Sequence, residues 1–158
     1  MLFRALPDKF KLSGSEKDAI RVFARTLSDR VTTRRPFTCV ISHDRELRRL
    51  NRIFRRRDYT TDVLSFPAAP DAAQAELGEI VISTERATAQ ARDFGHERIQ
   101  EMRILMLHGI LHLSGMDHER DNGEMARLEA HWRAKLGLPE TLILRAETRR
   151  AKTRMQHA

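Results

Sequence analysis

The chain has 158 residues and a formal net charge of +7, with charged residues making up 32% of it. That length suits one domain with a proper core and is short for two, and the positive excess points to a polyanion as partner. Nucleic acid fits better than membrane, because no stretch approaches the ~20 consecutive apolar residues of a spanning helix. Residues 1–10 lack the apolar core of a signal peptide, so a cytoplasmic protein is expected, and a single cysteine, Cys39, excludes an internal disulfide.

Residues 1–12 alternate loosely and read as an edge strand or an irregular lead-in. Ser13 or Ser15 can cap a helix beginning near Glu16, where Ile20, Phe23, Ala24 and Leu27 recur on one face. The apolar run Phe37–Ser42 predicts a central strand in which Cys39 is a buried small residue. Asp44 should cap a second helix, 45–55, with Leu47, Leu50 and Phe54 turned inward. Arg45, Arg48, Arg49, Arg52 and Arg56 fall on the opposite side as a basic stripe, which Arg55 and Arg57 extend and little acid interrupts. A turn follows, then a short strand stopped by Pro67, a polar loop over 68–76, and the clearest strand of the chain, 77–83. Residues 63–66 and 79–82 should pair antiparallel across that loop.

Ser83 or Thr84 caps the next helix, which Gly95 stops. A core helix then starts near Glu97 and carries Ile99, Met102, Leu105 and Met106. After His118 comes an acidic patch of Glu119, Asp121 and Glu124, and a last helix with Met125, Leu128, Trp132 and Leu136 at helical spacing, ended by Gly137 and Pro139. Strands and helices mix without strict alternation, so the expected fold is α+β, one small mixed sheet covered by helices. Residues 1–144 form the predicted domain and 145–158 a basic, flexible tail.

The most informative stretch is 107–118. If it is helical up to Ser114, His108 and His112 lie four residues apart and project from one face. Gly115 can take φ > 0, which turns the chain sharply and returns His118 towards the same point. Three neutral imidazoles suit one zinc ion and leave a coordination position open, the mark of a catalytic site. This spacing resembles the metal-binding helix and turn of metzincin proteases. The glutamate of that motif is replaced by Gly109, which disfavours a protease of that type.

Three blocks in order resemble the YbeY family of bacterial endoribonucleases: 54–58 leading into 61–67, then 77–83, then 108–118. The resemblance implies a zinc-type metal on His108, His112 and His118 and cleavage of single-stranded RNA. It further implies action in 16S rRNA 3′-end maturation and ribosome quality control, on ribosomal particles. Which ribosomal proteins or ribosome-associated GTPase the protein meets stays open. The family's functional arginine falls on Arg55, a candidate clamp for phosphate. Arg56 stands where the family usually has glycine, and Thr60 where it usually has proline.

Asp117 or Glu119, flanking the third histidine, can orient a ring N–H or shuttle a proton, and Asp117 is the candidate catalytic carboxylate. Asp62 and Glu79 could reach the sheet edge near the site. Arg45, Arg48, Arg49, Arg52, Arg56 and Arg57 are the candidate RNA contacts. Two other readings stay open: a metal-stabilised rRNA-binding assembly factor without catalysis, and a metal-dependent hydrolase of another substrate.

Overall fold

The structure, a computed structural model, describes residues 6–69 and 76–139 and the backbone of Leu2 and Phe3. The basic tail, 145–158, and most of the loop over 68–76 lie outside the described residues. One mixed sheet runs in the order β1 (Leu2–Phe3), β2 (Phe37–Ser42), β4 (Gly78–Ser83) and β3 (Val63–Pro67). β1 is parallel to β2 and β2 to β4. β3 lies antiparallel to β4, with Val63 opposite Ile82 and Phe66 opposite Glu79, the expected pairing.

Both faces of the sheet are covered, which is why the centres of β2 and β4, Cys39–Ile41 and Ile80–Ile82, are apolar without alternation. Cys39, Ile41, Ile80 and Ile82 point into the larger core layer, with residues of α1 (Gly14–Arg30), α4 (Arg98–Leu113) and α5 (Glu124–Leu136). Val40, Leu64 and Val81 point the other way, onto Leu47 of α2 (Asp44–Arg55). Burial pushes the Cys39 thiol up to about 12, so it is an inert core residue.

α1 opens with a reciprocal cap: Ser13 Oγ accepts from the Glu16 N–H at 3.1 Å, and the Glu16 carboxylate accepts from the Ser13 N–H at 2.8 Å. Arg98 donates two further bonds to the same carboxylate, at 2.8 and 2.9 Å, fastening the start of α4 to the start of α1. α3 (Thr84–Phe94) is capped by Ser83 Oγ and closed by Gly95 at φ +70°. α4 is buried along almost its whole length, so whatever it carries at its end is held rigidly.

Two expectations for α2 are corrected. Asp44 is its first residue rather than its cap; His43 holds the cap position with no side-chain bond. The Asp44 carboxylate instead accepts from Ser83 Oγ at 2.5 Å, joining α2 to the end of β4. Phe54 is 63% exposed. The inward position one turn after Leu47 belongs to Asn51, which is buried, and Phe54 sits at the flank, its ring edge-on to Phe66 at 5.3 Å. Among the described residues no helix is long and apolar enough to cross a membrane.

Candidate metal centre

α4 ends at Leu113, and Gly115 takes φ +91°, a backbone conformation that costs an L-residue about 1–2 kcal/mol. The Gly115 N–H donates to the His112 carbonyl at 3.0 Å and the Met116 N–H to the Leu111 carbonyl at 3.2 Å. These bonds reverse the chain and bring His118 back beside α4. One ring nitrogen from each of His108, His112 and His118 then lies within 4.8 Å of the others. The ring centroids are 4.8 to 5.3 Å apart.

This donor set fits a metal ion on three counts. His108 Nε2 and His112 Nε2 are 3.2 Å apart, and two nitrogens bound at about 2.0–2.1 Å to one tetrahedral ion would stand about 3.3 Å apart. His118 Nδ1 is shielded from solvent with no hydrogen-bond partner among the described residues, a cost that a ligand removes. Burial, and then the neighbouring His108 and His118 rings, push the His112 imidazole down to about 4, which leaves it neutral at pH 7. A neutral imidazole is the form that binds metal.

The residue that orients the centre is one that motif spacing did not indicate. Glu129, on α5 and 1% exposed, places Oε2 2.9 Å from His108 Nδ1. With the carboxylate ionised, Nδ1–H donates to it and the Nε2 lone pair is left facing the other histidines. Its only trace in the sequence is a carboxylate inside the apolar stripe of Met125, Leu128, Trp132 and Leu136. Asp121, read as part of an acidic patch, accepts from the Gly123 and Met125 N–H groups at 2.8 and 2.9 Å and so satisfies two donors at the start of α5, whose cap position is Gly123.

Gly109, where a zincin protease has its glutamate, faces the sheet rather than the histidines. A Cβ there would come within 2.9 Å of Ile80 Cγ2 and 3.2 Å of Val63 Cγ2. Packing against the sheet therefore disfavours any side chain at this position, a glutamate included.

The histidines lie in the wall of a cavity of about 800 Å³. Arg55 lines it from the end of α2, with Arg57, Tyr59 and Asp62 on the loop that follows and Asp117 and Glu119 at the turn. Arg55 Nη2 donates to the Ser65 carbonyl at 3.5 Å. Asp62 accepts from Gln90 at 3.1 Å; Glu79 is not among the lining residues. Gln90 and Phe94 of α3 complete the wall, and nothing in the pattern of that helix had marked them.

The remaining arginines stand apart. Arg45, Arg48, Arg49 and Arg52 line a separate groove of about 560 Å³ along the outer side of α2. The stripe is less naked than expected: Arg48 grips Asp58 through two bonds at 2.9 and 3.2 Å, and Arg49 grips Glu46 at 2.9 and 2.8 Å. Arg56 caps α2 in the left-handed region, at φ +56°.

The profile of the family described as Endoribonuclease YbeY matches residues 8–137. The chain belongs to the YbeY family. Endoribonuclease YbeY of Solibacter usitatus (strain Ellin6076) is 56% identical over 132 residues, covering 84% of this chain and 87% of that protein. Endoribonuclease YbeY of Koribacter versatilis (strain Ellin345) is 46% identical over 137 residues, covering 87% of this chain and 88% of that protein. Endoribonuclease YbeY of Nautilia profundicola is 49% identical over 110 residues. All three histidines, Glu129 and Arg55 lie within the stretch that the YbeY profile matches.

Proposed function

We propose that the protein is a zinc-dependent, cytoplasmic endoribonuclease that cuts single-stranded RNA in 16S rRNA 3′-end maturation and ribosome quality control, acting on ribosomal particles. The observation that carries this reading is the convergence of three imidazoles in the wall of a cavity that arginines also line, in a chain of the YbeY family.

Cleaving a phosphodiester builds negative charge at phosphorus, so the site must supply cations and somewhere for a proton to go. His108, His112 and His118 hold one zinc ion, and Glu129 keeps His108 in the tautomer that can ligate. When bound, the ion supplies Lewis acidity beside the scissile phosphate. Arg55 forks around two non-bridging phosphate oxygens, a geometry that a lysine cannot reproduce. Asp117, its side chain 43% exposed in the cavity wall, accepts the proton that the nucleophile loses, whether water or the substrate's own 2′-hydroxyl. The nucleophile's oxygen bonds to phosphorus as the bond from phosphorus to the departing nucleotide's oxygen breaks, and that oxygen takes up a proton from the protonated Asp117 or from water.

Arg45, Arg52, Arg56 and Arg57 extend the contact to neighbouring phosphates. Arg48 and Arg49 join by exchanging a carboxylate partner for a phosphate oxygen. The domain over 1–144 works as one unit, and the basic residues of 145–158 add further charge for RNA.

The test is cleavage of a single-stranded RNA carrying a 16S 3′ extension by wild type, His112→Ala and Arg55→Ala, prepared identically and analysed for metal. Wild type should cut, His112→Ala should lose both metal and activity, and Arg55→Ala should lose activity with metal retained. Equal cutting by all three, or none by wild type, overturns the reading in favour of a non-catalytic rRNA-binding assembly factor.

A further inference from the structure

The loop over 56–62 holds an aromatic ring in an unusual combination of restraint and exposure. Tyr59 is 53% exposed, yet its backbone is fixed. Asn51, 2% exposed, donates from Nδ2 to the Tyr59 carbonyl at 2.9 Å. The next residue, Thr60, donates from Oγ1 to the Asp44 carbonyl at 3.2 Å. The phenol oxygen accepts from Arg57 Nη1 at 3.1 Å, which ties the far end of the side chain as well. A ring tethered at both ends has lost most of the freedom that binding would otherwise cost, while more than half of its surface still faces water.

That ring stands in the wall of the cavity that contains the histidines, alongside Arg55 and Arg57. Two guanidinium groups and one half-exposed aromatic ring in the wall of one cavity match a strand whose phosphates and bases alternate. Phosphates fit the arginines, and an unpaired base fits the ring. A base in a duplex has both faces covered by its neighbours and has none to offer.

We propose that Tyr59 is the platform on which one unpaired base of the RNA stacks, so that preference for single strands resides in the loop over 56–62 rather than in the metal centre. The inference rests on the endoribonuclease reading of the same cavity. It commits the ring to a nucleobase, and a protein partner on that surface is the competing outcome.

The test pairs a change in the protein with a change in the RNA, using the full chain loaded with zinc. Fluorescence anisotropy is read on a short 2′-O-methylated single strand, intact or abasic at one position at a time, and KM and kcat are read on the matching cleavable strands. Base–aromatic stacking of the usual strength makes Tyr59→Ala bind the intact strand roughly tenfold more weakly, with the loss falling on KM. One abasic position should weaken wild type by a similar factor and add nothing in Tyr59→Ala. Tyr59→Phe, which keeps the ring, should restore the affinity, and duplex binding should not respond to Tyr59→Ala.

The proposal is overturned if Tyr59→Ala binds the intact strand like wild type, or if every abasic penalty adds in full on the variant; the exposed ring is then left for a protein partner. The abasic scan on wild type needs no substitution, and a scan with no sensitive position overturns the proposal whatever the variant's stability. Failure of the endoribonuclease reading would show separately, as wild type that leaves the cleavable strand intact.

Discussion

Glu129→Gln is the sharpest probe of how the histidines are held. The substitution preserves shape and one hydrogen-bond acceptor while removing the charge 2.9 Å from His108 Nδ1, in a place where Glu129 is 1% exposed. Partners of this kind typically contribute 10–100-fold to metal affinity, about 1.4–2.7 kcal/mol. The loss should also appear as stability. Zinc at about 1,000 times its Kd stabilises the folded state by about 4.1 kcal/mol, and a hundredfold weaker site at the same concentration retains only about 1.4 kcal/mol. Competition with a chromophoric chelator measures the first quantity, and urea unfolding with and without zinc measures the second. Comparing the metal-free proteins separately removes any cost of the substitution to the fold itself. If Glu129→Gln binds zinc as tightly as wild type and keeps the full zinc-dependent stabilisation, the carboxylate does not orient His108 and the reasoning fails.

Gly109→Ala sets two effects against each other. Helix propensity favours alanine by about 1 kcal/mol, but the new methyl meets Ile80 and Val63 at 2.9 and 3.2 Å, and overpacking of this kind costs about 1–3 kcal/mol. A net loss of about 1 kcal/mol should lower the Tm by about 3 °C; an unchanged or raised Tm means that the sheet yields freely. Arg56→Gly should stabilise by about 0.5–1 kcal/mol, because relief of the left-handed backbone exceeds the entropy that glycine adds to the unfolded chain; a lower urea midpoint would show that the Arg56 side chain makes contacts outweighing that strain. Cys39, 2% exposed, should react with a thiol reagent only at the rate of unfolding, and rapid labelling of the native protein contradicts its place in the core.

The sheet was legible because β3 and β4 alternate strictly between two covered faces, so a slip of one residue would turn Leu64 and Val81 into the wrong layer. The histidines were legible for a related reason: helix geometry and one glycine fix all three within eleven residues of chain. Glu129 lies 21 residues beyond His108 on another helix, and only tertiary packing brings the two together. Gln90 and Phe94 share that character. The arginine stripe was legible as charge but not as pairing. Glu46 and Arg49, three residues apart, were an ordinary helical pair in plain view, whereas Asp58 reaches Arg48 only because Arg56 turns the chain back. Phe54 was misplaced because helical spacing marks an apolar position without saying where the neighbouring sheet ends.

The centre has a stiff half and a soft half. His108 and His112 ride on a helix packed on the sheet and on its neighbouring helices, whereas His118 rides on a connection, 114–123, in which no residue is buried. Local opening of such a segment requires far less free energy than opening α4. Amide hydrogens of 114–123 should therefore exchange early, and His118 should be the first ligand to leave. Exchange of a bound metal ion should then proceed through a small excursion of that connection, at a rate set by its own opening and independent of global unfolding. A chelator can withdraw the ion from a molecule whose sheet and core remain folded.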